Sequence, residues 1–136
     1  MDADEARIIK VFGTREVPEV SRENLLKYRR YLLQHFDRKV ILTGREDFPW
    51  EEKYVFGPFS RTEYEKVKKT NPSYTDDYDL IDILEDEVPE NDLMARVKRR
   101  SDGKVFDIGL SWLTTKKKSG KDFQLLDDFA TWVVNW

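Results

Sequence analysis

Nine carboxylates crowd into one short stretch of this chain: Asp76, Asp77, Asp79, Asp82, Glu85, Asp86, Glu87, Glu90 and Asp92. No Lys, Arg or His interrupts them. A hard cation such as Ca²⁺ takes about six to eight oxygen ligands from carboxylates, carbonyls and water. The stretch is therefore a candidate cation site, although it lacks the Asp-x-Asp-x-Asp-Gly frame of an EF-hand and contains no glycine. Asp76, Asp77 and Asp79 fall at the start of a predicted strand; Glu85, Asp86, Glu87, Glu90 and Asp92 follow its end. A strand of this length spans roughly 20 Å, so its two ends do not share one ion. The loop Glu85–Asp92 is favoured, with Pro89 to stiffen it and Asn91 to add a neutral oxygen. The same carboxylates also suit a solvated rim, pairing with the basic residues that follow, or the docking of a basic partner.

That basic counterpart runs from Arg96 to Lys121. Arg96 and Lys98 fall on the outer face of a predicted hairpin strand. They could follow a phosphate backbone or pair across the sheet with the acidic strand. The net charge of −3 favours pairing, and nucleic acid is not an expected partner. Trp50, in a loop with Pro49, is a candidate aromatic contact for a protein partner, alongside Arg96 and Lys98.

Catalysis finds little support. The one histidine, His35, lies at the end of a predicted helix. There is no Walker A, Rossmann or Gly-x-Ser-x-Gly fingerprint. Without cysteine the chain has no disulfide, thiolate ligand or thiol nucleophile. We expect a non-enzyme. No apolar run approaches the roughly 20 residues that span a bilayer. The acidic start, Met1 to Glu5, is unlike a secretory leader, so the expected location is the cytoplasm, without membrane association.

Four Trp, six Tyr and eight Phe supply a core, while 38% charged residues argue for a strongly solvated surface. The 136 residues fit a single domain. Residues 1–20 read as an extended segment with a short strand, Ile8–Phe12. A helix over Ser21–His35 starts at a Ser21 cap and buries Leu25, Tyr28 and Leu32. Lys39–Thr43 reads as a strand stopped by Gly44, and Lys53–Phe56 as a second short one. Ser60 and Glu63 form a capping box before a helix over Arg61–Lys69. Tyr78–Leu84 is a strand. Leu93–Leu110 is a hairpin turned by Ser101-Asp102-Gly103, burying Leu93, Ala95, Val97, Phe106, Ile108 and Leu110. Leu110–Leu113 leaves the sheet. The chain ends in a helix capped by Asp122, or in a strand over Thr131–Asn135.

This order resembles the small bacterial calcium-binding proteins of the CcbP type. The features that carry the likeness are the helix with Tyr28 and Leu32, the strand Lys39–Thr43, and the strand ending in Glu85-Asp86-Glu87. The hairpin, the Leu110-Ser111-Trp112-Leu113 exit and the terminal Asp127-Asp128-Phe129-Ala130-Thr131-Trp132 follow. The resemblance implies a helix before a small SH3-like antiparallel barrel and a role in binding Ca²⁺. It does not name ligands residue by residue. The segment before Ser21 and the insertion over residues 44–74 depart from the family pattern. The expected fold is thus α+β: an SH3-like barrel or curved sheet with N-terminal, inserted and C-terminal helices. The expected function is calcium binding for buffering or regulation. The alternative is an inhibitor or immunity-type module whose acidic surface docks a basic partner.

Overall fold

A computed structural model describes residues 2–56 and 61–136. Helix α1 spans Ala3–Phe12. The Asp2 side chain accepts from the Glu5 N–H at 3.0 Å, and Asp4 and Glu5 complement the positive end of the helix. Gly13, at φ 67°, ends the helix in the left-handed conformation and donates to Ile9 O at 2.8 Å. This corrects the strand predicted at Ile8–Phe12. Its β-branched residues also fit helical spacing, and burial of Ile8 on one face decides the matter.

Helix α2, Arg22–His35, starts at Ser21 as predicted; the hydroxyl accepts from the Asn24 N–H. Strand β1 is Leu42–Gly44. It includes the glycine expected to stop it, because a side chain at Gly44 would overlap the backbone of Tyr74. Helix α3, Glu52–Phe56, replaces the second short strand predicted there. Helix α4 is Arg61–Lys68; its predicted capping residue, Ser60, lies outside the described residues. Strands β2 (Tyr78–Ile83), β3 (Met94–Arg99) and β4 (Val105–Gly109) form an antiparallel meander. A 3₁₀ turn at Leu110–Trp112 then leads into β5, Leu113–Thr115. The chain therefore does not leave the sheet after Leu110: β5 returns and pairs with β1. Helix α5, Lys121–Asn135, closes the fold, and the alternative terminal strand does not form. Asp122 sits in its first turn but accepts instead from the Asp37 N–H at 3.0 Å.

The sheet order is β4-β3-β2-β1-β5 and the sheet is open, with β4 and β5 as its edges. The core forms where α1, α2 and α5 meet the sheet. Phe12, Tyr28, Phe129 and Trp132 interlock there with ring centroids 5.1–6.1 Å apart. Fully burying each large side chain contributes roughly 1.5–3 kcal/mol. The hairpin register is the predicted one. Leu93, Ala95, Val97, Ile108 and Leu110 are buried and Phe106 is half-buried. Among the described residues no helix is long and apolar enough to cross a membrane.

Candidate functional site

Strand β2 lays its carboxylates against basic neighbours. Asp79 faces Lys98 and Asp82 faces Arg96 across the ladder. A register shift between Leu80 and Asp82 places the extra residue, Ile81, in a bulge. Each predicted ligand on this side meets a cation. Asp76 Oδ2 accepts from Arg99 Nη1 and from the Ser73 N–H, both at 3.0 Å. Asp77 takes Lys116 at 2.6 Å, and Asp79 lies 3.6 Å from Arg100. Asp82 lies 3.5 Å from Arg38.

The loop after β2 differs. Glu85 is 3.9 Å from Arg29. Asp86, Glu87 and Glu90 are exposed and have no hydrogen bond or ion pair among the described residues. Beneath them lies a polar depression of about 290 Å³, lined by Asp82, Glu85, Asp86 and Glu87 together with Arg29 and Arg96. Both arginines are committed. Arg29 donates to Ile83 O at 2.7 Å. Arg96 grips Asp107 with two bonds, at 2.9 and 3.0 Å, which holds the Asp107 carboxyl below its ordinary range.

Asp92 is not part of this loop surface. It is buried at the base of the hairpin, where Oδ1 accepts from the N–H groups of Leu93 and Ser111 and Oδ2 from the Ser111 hydroxyl. It fastens the start of β3 to the 3₁₀ turn. Burial, opposed by these bonds, pushes its carboxyl pKa up. Among the described residues no three acidic or histidine side chains lie close enough to hold a metal ion together. The predicted ligands are thus divided between a paired strand, an unpaired loop and a buried clamp.

The predicted partner contacts also separate. Lys98 is exposed on the outer hairpin face, whereas Arg96 is committed to Asp107. Trp50 is half-buried. Its indole N–H donates to Pro72 O at 2.6 Å, and its ring lies against Tyr54 and Tyr64. It belongs to the packing of the insertion more than to open surface.

Two charged residues have structural roles that the sequence reading missed: Glu51, and Arg99, which it counted only within the basic run. Glu51 is fully buried. Its carboxylate accepts from the N–H groups of Phe48 and Tyr74 and from the hydroxyls of Tyr64 and Ser73. Four donors fill the roughly four acceptor positions of a carboxylate, leaving none for a substrate proton. Glu51 therefore ties α3, α4 and the Ser73–Tyr74 segment together. Arg99, 2% exposed, donates to the carbonyls of Lys68, Lys69 and Asn71 and to Asp76 and Asp102. It closes the C-terminal end of α4 onto β3. The Arg99 bonds hold the Asp102 carboxyl at about 2. The alternation 93, 95, 97 points Arg99 inward, the signal that could have found it. Glu51 follows a Phe-Pro-Trp turn and carries no comparable signal. His35 is exposed, its ring 4.1 Å from that of Tyr31.

Fold and site together define an α+β domain with an open five-stranded antiparallel sheet and an acidic loop at one end. Comparison with protein-family models, with curated proteins and with solved structures finds no match.

Proposed function

We propose that this domain is a non-catalytic binding module that docks a basic segment of a protein partner on the loop Glu85–Glu90. The observation that carries the reading is the contrast within the acidic run. The carboxylates at and before the strand already form ion pairs within the chain, while Asp86, Glu87 and Glu90 form none among the described residues. Lys or Arg side chains of a partner can reach separate carboxylates one at a time and need no convergent cage. Steering by such a loop is screened beyond about 8 Å at physiological ionic strength, so association should slow with added salt. A pull-down at low salt that recovers a partner with salt-sensitive binding supports the reading; a partner indifferent to salt, or lost equally from both proteins on adding salt when Glu85→Gln/Asp86→Asn/Glu87→Gln is compared, contradicts it.

A second reading, Ca²⁺ at the same loop, draws on the same unpaired carboxylates and on the likeness to CcbP-type proteins. It requires the loop to close, since ligand oxygens must approach to about 2.3–2.6 Å. Two guanidinium groups in the depression oppose a dication there. Calcium-dependent melting, absent from the triple variant, would favour this reading over the first.

We also infer that the sheet is an SH3-like, partly open barrel. In support, β2–β4 form a meander, a 3₁₀ turn follows β4, and the last strand returns to pair with the first. The lack of cysteine suits the cytoplasmic setting that this reading assumes.

A further inference from the structure

On the helical side of the fold, far in chemistry from the acidic loop, a pocket of about 220 Å³ opens between α1, α2 and α5. Its apolar walls are Val11, Tyr31 and Leu125. Its charged lining is three cations, Arg7, Lys10 and Lys121, against the single carboxylate of Asp128. In a chain of net charge −3 this is a local excess of positive charge. Arg7 is held by two carboxylates, Asp128 at 2.7 and 3.1 Å and Asp4 at 2.7 Å, so the positive charge left at the rim is that of Lys10 and Lys121. Gln124 adds a third donor to Asp128 at 2.9 Å. Lys10 and Lys121 are exposed and have no partner among the described residues.

Tyr28 also lines the pocket and is 1% exposed. Its ring is locked against Phe12, Phe129 and Trp132. Its hydroxyl has no hydrogen-bond partner among the described residues. The hydroxyl is not among the buried polar atoms left without a partner, so it reaches the open pocket, where a guest or water can bond to it. Lys121 and Gln124 belong to the first turn of α5, whose N-terminus has no side-chain cap. The helix dipole there favours negative charge.

We propose that this pocket binds a small amphipathic carboxylate. Its apolar body lies between Val11, Tyr31 and Leu125, and its carboxylate accepts from the Tyr28 hydroxyl with Lys10 and Lys121 at the rim. The volume equals about seven waters at liquid density, which suits a small aromatic or branched acid and not a nucleotide.

The test is a titration of the full chain with phenylacetate, and separately with hexanoate, followed by ¹⁵N-resolved NMR and Trp fluorescence. Trp132, whose ring centroid lies 5.1 Å from that of Tyr28, reports on the site. Saturable shifts at Val11, Tyr28 and Leu125 are expected. Phenylacetamide, equal in shape but neutral, should bind about tenfold more weakly or worse. Tyr28→Phe keeps the ring and should weaken phenylacetate by about tenfold. Lys10→Glu/Lys121→Glu alters only exposed side chains and should abolish acid binding while leaving the melting curve in place. Failure of both acids to produce saturable shifts overturns the proposal. So does equal affinity for phenylacetate and phenylacetamide, or undiminished binding by the lysine double variant.

Discussion

The acidic run splits into two regions that look alike in sequence and behave differently in the fold. From Asp76 to Asp82 the carboxylates lie just before and along β2, where Arg99 at the end of β3, Arg100 in the following turn, Lys116 after β5 and Arg38 before β1 reach them. From Glu85 to Glu90 the chain has left the ladder, and among the described residues only Glu85 forms an ion pair. The lesson is that pairing depends on what the rest of the fold packs beside a carboxylate. Arg38, Arg99, Arg100 and Lys116 all reach the first stretch, whereas among the described residues only Arg29 forms an ion pair with the loop. The strand carboxylates therefore belong to stability, and the loop carboxylates remain available to a ligand.

Four variants would break or sharpen this contrast. The largest effect is expected at the hub of the paired region. Arg99→Met removes the guanidinium that bonds Asp76, Asp102 and three carbonyls, and should cost about 3–5 kcal/mol in chemical denaturation. The Asp102 carboxyl is depressed by Arg99, so its contribution is present above the ordinary carboxylate range and is lost as pH falls through about 2. The variant should lack that acid-side loss. An unchanged midpoint for Arg99→Met would mean that the strand side is no more structural than the loop. Next, Asp76→Asn keeps the shape but weakens a charged bond to a buried guanidinium, at a cost of about 1.5–3 kcal/mol.

Asp92 supplies a smaller and pH-dependent effect. Its carboxyl is raised by burial, so the folded state holds the proton more tightly than the unfolded chain. Ionisation therefore lowers stability, and that penalty fades as pH falls through the folded pKa and is gone below about pH 4. Asp92→Asn removes the penalty while keeping an acceptor for the Leu93 and Ser111 N–H groups. Its melting temperature relative to the wild type should be highest near neutral pH and decline on acidification. A relative melting temperature that rises on acidification would reverse the sign argued here. The smallest effect belongs to the loop. Glu85→Gln/Asp86→Asn/Glu87→Gln should change stability by no more than about 0.5 kcal/mol, because these side chains are exposed. A loss of 2 kcal/mol or more, by the same denaturation assay, would erase the distinction between the regions.

Much of the fold was legible where local pattern and tertiary environment agree. Ser21 capped α2, and the alternation of Leu93, Ala95 and Val97 gave the hairpin its register. Where they disagree, the sequence misled. Ile8, Ile9, Val11 and Phe12 look like a strand, yet a cap at Asp2 and a left-handed Gly13 enclose them in a helix packed on α5. Strand β5 is three residues long, too short for its alternation to show, and it exists because β1 offers an edge. The candidate site was legible as composition only. Nine carboxylates could be counted, but which ones meet cations depends on Arg29, Arg38, Arg99 and Lys116, which come from distant parts of the chain. The buried Glu51 depends in the same way on Tyr64, Ser73 and Tyr74.

The most direct measurement is residue-resolved ¹⁵N NMR of the full chain, titrated with a short Lys/Arg-rich peptide at low salt and again at about 0.15 M salt. Parallel titrations use calcium chloride and the Glu85→Gln/Asp86→Asn/Glu87→Gln variant. The account predicts peptide-induced shifts centred on residues 84–90, diminished by salt and lost in the variant, with Asp76, Asp77 and Asp79 unmoved. Shifts centred on Asp76–Asp79, or a loop that responds to calcium and ignores the peptide, would contradict it.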